Sequence, residues 1–323
     1  MTGHTDRVAG SNKRDILRTL DVLRQGQGLI GYPWPWEYLN ERTVGLCSGN
    51  VFYFYGRQKS KKTWLLLWMA LFYWSRGMRV LFFTREMTRD ELDWRLIALI
   101  CGFDFLSLVK GEITTEGQVL LEQKMDELHQ SNRFIISEVD GGVSEFKAKI
   151  EEVRPNIVFH DFFKAMADSD AGAKMDEHRS VARTVDKIKD YAISKAHIPL
   201  ILAGHANREG AKTKGMSDTE HAWSDNITRK TDAAFRVIND KANDRIAIVV
   251  NSGRAIQENV SFTISGRLCH GFGEMLEEGA PWLSSLLERE DGEDKNRSQS
   301  QTPKGDGHSK FSGTSFKKPF KRR

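Results

Sequence analysis

Cysteine, signal-like segments and long apolar runs are all scarce in this sequence. The three cysteines, Cys47, Cys101 and Cys269, form no C-x-x-C pair, which argues against a zinc site or a disulfide framework and favours a reducing, intracellular setting. The most apolar run, Trp64 to Trp74, is too short to span a bilayer, and the polar N-terminus has no apolar signal core. We therefore expect a cytoplasmic protein without a membrane segment.

An excess of positive charge is lacking over most of the chain. The 323 residues carry a formal net charge of +4, but the stretch from Gly292 to Arg323 holds nine Lys/Arg and three Asp/Glu, so the remainder carries −2. The body is therefore not a basic nucleic-acid-binding surface in bulk. The basic stretch is rich in Ser, Gly and Lys without periodicity, which predicts a disordered tail over residues 291–323.

Short apolar runs alternate with helical patterns from residue 51 onward. Strands are predicted at Val51–Tyr55, Arg79–Phe83, Phe134–Ser137, Ile157–Phe159 and Leu200–Ala203. The run Thr63–Ser75 is apolar on all sides and predicts a buried helix that ends at Gly77, Thr88 and Glu91 form a capping box, and Asp176–Ala196 is helical. This alternation predicts an α/β fold with a mostly parallel central sheet.

The pattern changes after residue 230. Strands at Ala233–Ile238, Arg245–Val250 and Val260–Ile264 are joined by short polar links, which predicts an antiparallel C-terminal extension of the sheet. We expect three parts: an N-terminal arm over residues 1–30, an α/β domain over residues 31–290, and the tail. The arm contains a candidate amphipathic helix from Asp15 to Arg24, and Gly26–Trp36 is predicted to be irregular.

A phosphate-binding loop is predicted between the first strand and the buried helix. The signature is G-x-x-x-x-G-K-[ST], and the matching residues are Gly56, Arg57, Gln58, Lys59, Ser60, Lys61, Lys62 and Thr63. A helix N-terminus after such a loop attracts anions, so Lys62 would reach the outer phosphates and Thr63 would bind Mg²⁺. Lys61 replaces the second glycine, and a left-handed backbone there costs about 1–2 kcal/mol. A solvated basic turn is the alternative interpretation.

Polar residues follow three of the predicted strands. Asp161 ends a buried strand and is the candidate Mg²⁺-associated carboxylate, or else a helix cap or turn residue. Glu86 follows the second strand and is the candidate catalytic base, or else a surface charge. His205 is the candidate sensor of the γ-phosphate, or else a structural histidine. The carboxyl ends of parallel strands share the ligand-binding edge of an open sheet, so these residues are expected to lie near the loop.

The order of motifs resembles the C-terminal motor domain of the DnaB-type replicative helicases. The resembling segments are Gly31–Trp36 with Leu39, Asn40 and Thr43–Gly45, then Leu81–Met87, Phe159–Phe163, Gly204–Arg208, and Ser217, Asp218 and Ser224–Asp232. They span roughly residues 28–265. No collar domain precedes them in this sequence, which suits a phage or plasmid version of the family.

The resemblance implies a RecA-like P-loop NTPase core that hydrolyses ATP with Mg²⁺. It implies a ring oligomer, expected to be a hexamer, that moves along single-stranded DNA, with Arg254 completing a neighbour's site. Lys212 and Lys214 are the candidate DNA contacts, or else part of a solvated loop. The helix near residues 13–24 would pack on the next subunit or on its own domain. His205 and Asn251 depart from the family's Gln and Lys.

Several interpretations stay open. A degenerate ATP-binding protein that acts as a replication loader or interaction module would also carry Lys61, His205 and Asn251. A strand-exchange or repair ATPase would share the core. The tail interleaves Phe311, Phe316 and Phe320 with cations. It would bind single strands by stacking and charge, dock a primase, loader or single-strand-binding partner, or only keep the protein in solution.

Overall fold

The computed structural model describes residue 20 and residues 29–85, 87–138, 141–161, 177–205, 227–254, 256 and 260–287. Within the predicted N-terminal helix it describes Leu20, which is helical and exposed. The chain divides into a compact unit that extends to Pro281 and a second unit that begins at Trp282. The described part of the second unit is a helical turn in which the Leu286 amide donates to the Trp282 carbonyl oxygen (3.1 Å). The predicted division into residues 1–30, 31–290 and 291–323 stays a prediction.

The described residues form one sheet of nine strands in the order β3-β2-β4-β5-β1-β6-β7-β8-β9. The strands are β1 (Val51–Gly56), β2 (Val80–Thr84), β3 (Phe134–Ser137), β4 (Ile157–Asp161), β5 (Leu200–His205), β6 (Ala233–Asp240), β7 (Arg245–Gly253), β8 (Ser261–Ser265) and β9 (Met275–Glu278). The eight strands predicted from sequence are all present, with ends that differ by up to three residues. The edge strand β9 was not predicted.

The sheet is parallel over its first six positions and antiparallel over the rest. Strand β1 lies between β5 and β6 and is parallel to both, with Gly56 opposite His205 and Phe52 opposite Ala233. Strands β7, β8 and β9 continue the sheet in antiparallel pairs. The predicted antiparallel extension is therefore confirmed, but it begins at β7 and not at β6. The pairing of β6 with β1 spans most of the chain, so no local pattern could reveal its direction.

Helices cover both faces of the sheet. They are α1 (Glu37–Asn40), α2 (Lys62–Ser75), α3 (Arg89–Cys101), α4 (Phe105–Val109), α5 (Thr115–Ser131), α6 (Val143–Val153) and α7 (Glu177–Tyr191), which continues as a π-helical turn (Ala192–Ala196). The side chains of β1 alternate between the faces: Phe52 and Phe54 join the apolar cluster of α2 and α3, while Tyr53 and Tyr55 join that of α6 and α7. This two-residue period is what a sheet buried on both sides requires.

Local sequence signals fix the helices that flank the loop. Helix α2 is buried on nearly every side, as its apolar composition predicts. Its end is closed by Gly77, whose φ of +84° is in the left-handed region and whose amide donates to the Trp74 carbonyl oxygen (2.9 Å). Helix α3 begins with the predicted capping box, in which Thr88 and Glu91 cap each other's backbone amides.

The segment before β1 is part of the core and not an irregular arm. Trp34 and Trp36 are both buried. The Trp34 indole donates to the Thr43 hydroxyl (3.0 Å), and the Trp36 indole donates to the carbonyl oxygen of Gly273 (2.8 Å). Buried indoles need such partners because an unpaired N–H is costly in an apolar interior. Pro and Gly in this stretch break regular structure, but they do not prevent burial.

Candidate nucleotide-binding site

The predicted site residues converge at the carboxyl edge of the parallel strands. The loop follows β1, His205 ends β5 opposite Gly56, and Asp161 ends β4 opposite Thr84 of β2. Strands β4, β5 and β1 are neighbours in the sheet. This edge is where open α/β sheets bind ligands. The loop, the carboxylate and the histidine are therefore brought together from three separate strands.

Gly56 starts the loop where there is no room for a side chain. A Cβ atom on it would lie 2.3 Å from the Val237 carbonyl oxygen of β6 and 2.9 Å from the Ser60 hydroxyl. The backbone of the loop therefore runs directly against the neighbouring strand. The loop then turns tightly, with the Ser60 amide donating to the Arg57 carbonyl oxygen (3.3 Å).

The close approach at Gly56 predicts that Gly56→Ala destabilises the fold. The added methyl would push against backbone that β1 and β6 hold in place, and overpacking of this kind costs about 1–3 kcal/mol. The matched control is Gly117→Ala in α5, where the nearest atom is 3.5 Å away. There, alanine is expected to stabilise the helix by about 0.5–1 kcal/mol. Urea unfolding of both variants measures the difference, and equal free energies of unfolding would contradict the packing argument.

Lys62 lies inside the loop with its ammonium facing the backbone. It is 6% exposed, and its Nζ donates to the carbonyl oxygens of Gly56 and Arg57 (2.9 Å each) and to the Ser60 hydroxyl (3.2 Å). The Nδ1 atom of His205 is 3.4 Å away. A buried cation at the start of a helix provides a positive charge where a phosphate would lie.

Thr63 and Asp161 form a buried pair beside this lysine. The Thr63 hydroxyl donates to Oδ2 of Asp161 (2.7 Å), and Asp161 is 2% exposed. These residues are 98 positions apart in sequence. A hydroxyl and a carboxylate oxygen are ligands that Mg²⁺ prefers, and Mg²⁺ commonly takes its other ligands from substrate phosphates and water. The donor set therefore fits a magnesium–nucleotide complex.

The N-terminus of α2 is open to an anion. The helix begins after Lys61, whose side chain makes no capping hydrogen bond, and the described first turn contains no acidic residue. Its first amides point toward the loop and carry the positive end of the helix dipole. Together with Lys62, this arrangement fits the phosphate groups of a nucleotide.

Two residues of the loop have left-handed backbone without being glycine. Lys59 and Lys61 both have φ of +64°. The Nζ of Lys61 points away from the loop: it donates to the Gly266 carbonyl oxygen (2.6 Å) and lies 3.6 Å from Oδ1 of Asp244. A charged hydrogen bond contributes about 1.5–3 kcal/mol, which offsets the roughly 1–2 kcal/mol that the left-handed backbone costs. Gln58 and Lys59 are exposed, and Arg57 is half-buried.

His160 precedes Asp161 and stays neutral. Its ring lies between those of Phe83 and Phe146, with centroids 5.5 and 5.7 Å away. Burial, and secondly the charge of Arg85, lower the pKa of His160 to about 3. Its Nδ1 atom has no hydrogen-bond partner among the described residues. At neutral pH this histidine therefore adds no positive charge next to the Asp161 carboxylate.

Arg95 is a site neighbour that sequence reasoning missed. Its guanidinium lies 5.6 Å from the ring centroids of Trp64 and Phe105, and its Nη1 donates to the Glu91 carbonyl oxygen (2.8 Å). Burial lowers the pKa of Arg95, against the opposing charges of Glu91 and Asp161. An arginine in the middle of an amphipathic helix has no distinguishing sequence signal, so its proximity to Asp161 is visible in the tertiary structure only.

Arg254 lies at the opposite edge of the sheet. Its amide donates to the Asp232 carbonyl oxygen (2.9 Å), and the Asp232 amide in turn donates to Val51 at the start of β1 (2.8 Å). The Arg254 side chain is 69% exposed, and its Nη1 is 3.7 Å from the Asp232 carboxylate. The loop follows the far end of β1, about 17 Å away at 3.3 Å per residue. Arg254 is therefore not near the loop of its own chain.

The remaining predicted residues divide into two groups. Asn251, at the position of the family's lysine, donates to the Tyr55 hydroxyl. Glu86, Lys212 and Lys214 lie outside the described residues, as do most of the predicted N-terminal helix and the whole of the tail.

The fold and the loop edge define a RecA-fold ATPase domain. A family model described as DnaB-like helicase C terminal domain matches residues 31–245. The chain belongs to this family, which confirms the resemblance seen in the motifs. No helix among the described residues has the length and apolar character needed to cross a membrane.

Relatives and solved structures agree with this assignment. The chain is 22% identical over 183 residues to a probable plasmid replicative DNA helicase of Chlamydia trachomatis, covering 55% of this chain and 40% of that protein. It is 21% identical over 208 residues to the replicative DNA helicase DnaB of Helicobacter pylori, covering 61% and 42%. The chain thus spans about two fifths of the length of these relatives.

Two solved structures share the fold. One is a separately solved ATPase domain, which superposes with a TM-score of 0.70 at 16% identity, covering 84% of this chain and 99% of that one. The other is a DnaB-like replicative helicase, in a structure that concerns its interactions with primase, with a TM-score of 0.66 at 18% identity and coverages of 81% and 65%. The predicted RecA-like fold class is therefore confirmed.

Proposed function

We propose that this chain is the motor of a replicative DNA helicase that hydrolyses ATP as it moves along single-stranded DNA. One observation carries the proposal: the Thr63 hydroxyl meets the Asp161 carboxylate at 2.7 Å beside the buried Lys62 ammonium, at an uncapped helix N-terminus. This is the donor set that a magnesium–nucleotide complex needs. Membership of the DnaB-like helicase family supports the choice of helicase over other ATPases.

Each residue of the cluster has a proposed role in hydrolysis. Lys62 exchanges its loop carbonyls for the outer phosphate oxygens, and the α2 amides bind the same group. Thr63 and Asp161 would hold Mg²⁺, which when bound neutralises charge that develops on the phosphates. Glu86 would accept the proton of the attacking water. His205, 3.4 Å from Lys62, would contact the γ-phosphate and report its presence along β5.

A ring, proposed to be a hexamer, follows from the position of Arg254. An exposed arginine at the edge opposite its own loop can serve only the site of another copy, in a head-to-tail interface that closes into a ring. In P-loop enzymes such an arginine stabilises charge on the γ-phosphate. Cytoplasmic replication would be the setting, with a primase, a loader or a single-strand-binding protein as partner of the tail.

DNA binding is proposed to come from the loop of Lys212 and Lys214. Lysines that contact phosphates give affinity without sequence preference, and that affinity falls steeply with salt. Such a loop would face the channel of the ring. The tail, with its phenylalanines and cations, is a second candidate contact.

The proposal is tested by ATP turnover with and without single-stranded DNA, together with displacement of a strand from a forked duplex. Wild type should hydrolyse ATP faster with DNA and unwind the fork. Lys62→Ala should lose turnover by about 10²-fold or more, because it removes a charge that stabilises the transition state. Turnover without strand displacement would indicate a strand-exchange or repair ATPase instead.

A second function, binding of ATP without hydrolysis in a loader or interaction module, is favoured by one observation. Two lysines in the loop have left-handed backbone where glycine would be unstrained. Equilibrium binding of Mg·ATP to wild type with no turnover above that of Lys62→Ala would establish this function and exclude the motor.

A further inference from the structure

The two adjacent lysines at the end of the loop have opposite orientations. Lys62 faces the loop carbonyls, whereas the ammonium of Lys61 leaves the loop and reaches the turn regions at the ends of β6 and β8. Its side chain is 16% exposed. The charge of Lys61 is therefore engaged away from the place where phosphates would bind, and its contribution to the site has to be indirect.

The platform that receives Lys61 is itself held in place. The Gly266 amide donates to the Asp244 carbonyl oxygen (2.7 Å). In the β6–β7 turn, the Asp240 carboxylate accepts from Asn243 (2.8 Å) and from Arg245 (2.9 Å). Burial opposes ionisation of Asp240, yet these hydrogen bonds hold its pKa below its ordinary value. The turn is thus a fixed anchor point.

A second contact joins the loop to the same part of the sheet. The side-chain amide of Asn239, near the end of β6, donates to the Lys59 carbonyl oxygen (3.2 Å). Each of the two left-handed residues of the loop therefore has its own anchor, one through a backbone carbonyl and one through an ammonium. Strained backbone persists where the surroundings over-determine it, and such positions cluster at ligand sites.

We propose that Lys61 is a positioning residue that holds the phosphate loop in its ligand-receiving shape by anchoring it to the β6–β7 turn and to Gly266. A glycine at this position relies on backbone freedom and orders on binding. The lysine orders the loop in the folded protein beforehand, so less conformational entropy is lost when the nucleotide binds. This inference rests on the proposed nucleotide site for its consequence, but the anchor itself is a property of the free protein.

Three substitutions separate the anchor from the strain. Lys61→Met keeps a left-handed residue and removes the ammonium, Lys61→Gly removes both, and Lys61→Arg keeps a cation of similar reach. The comparison variant is Lys59→Met, which removes one positive charge from the same loop at the same φ of +64°. Its anchor from Asn239 uses the backbone and survives the substitution.

Equilibrium binding of Mg·ATP, with KM and kcat, measures the consequence. Lys61→Met should raise Kd about tenfold relative to Lys59→Met, since a charged hydrogen bond is worth at least that factor. KM should rise more than kcat falls, and Lys61→Arg should recover much of the affinity. Equal Kd for Lys61→Met and Lys59→Met, or tighter binding by Lys61→Gly than by wild type, would overturn the proposal.

Hydrogen exchange of the nucleotide-free protein tests the anchor without any reference to activity. Amides of residues 56–61 should exchange faster in Lys61→Met than in Lys59→Met, while α2 keeps its protection. Unchanged exchange in the loop would refute the anchor. Wild type that fails to bind Mg·ATP would refute the proposed function alone, because the exchange result stands independently.

Discussion

Arg254→Ala is expected to reduce ATP turnover by about 10³-fold or more, the smallest factor usual for an arginine that stabilises the γ-phosphate. Affinity for ATP should fall far less, because this arginine acts when charge develops in the transition state. Arg254 lies beside Asp232 at the start of β1, and the loop follows the other end of that strand. The loss should therefore arise at a neighbour's site, as measured by steady-state turnover and by nucleotide binding on the same preparation.

A mixing experiment distinguishes action on a neighbour from a structural role. Arg254→Ala protein and Lys62→Ala protein, each nearly inactive, are dissociated, combined in equal amounts and reassembled. An intact loop then meets an intact arginine at roughly a quarter of the head-to-tail interfaces, so turnover should recover to a comparable fraction of wild type. A mixture as inactive as its components would show that Arg254 does not act across an interface.

Glu86→Gln is expected to reduce turnover by about 10²–10⁴-fold, the usual contribution of a general base, while Mg·ATP still binds. Glutamine keeps the shape of the side chain but cannot accept a proton from water. The residue follows β2 by two positions, and β2 ends with Thr84 opposite Asp161. Single-turnover hydrolysis and equilibrium binding separate the loss of chemistry from any loss of affinity.

The matched control for Glu86→Gln is Glu91→Gln in the capping box of α3. A capping box accepts glutamine as well as glutamate, so this variant should keep its turnover and lose no more than about 1 kcal/mol of stability. Wild-type turnover in Glu86→Gln would remove Glu86 from the mechanism. It would leave the loop, Asp161 and Lys62 as the nucleotide site with another residue as base.

The order of elements could be predicted from local sequence because short-range forces decide it. The alternation of apolar runs, the capping box of Thr88 and Glu91, and the left-handed glycine after α2 each depend on residues a few positions apart. The loop and the carboxylate Asp161 were identified for the same reason, since each sits directly at the end of a buried strand. The RecA-like fold followed from these signals together with the order of the motifs.

Features that depend on distant residues could not be predicted in this way. The burial of Trp34 and Trp36, the parallel pairing of β6 with β1, the added strand β9 and the proximity of Arg95 to Asp161 all arise from packing between segments far apart in the chain. Composition correctly marked the segment before β1 as irregular, but irregular backbone can still be buried when its polar groups find partners.

The loop Gly56–Thr63 shows both kinds of information at once. Its sequence was sufficient to mark a phosphate site and to identify Lys61 as a residue with a cost. It could not show which lysine faces the phosphates, because the acceptors that hold Lys61 lie about two hundred residues away, at Gly266 and Asp244. Local backbone preferences are set by neighbours in sequence, whereas the direction of a charged side chain is set by whichever acceptors the folded sheet brings within reach.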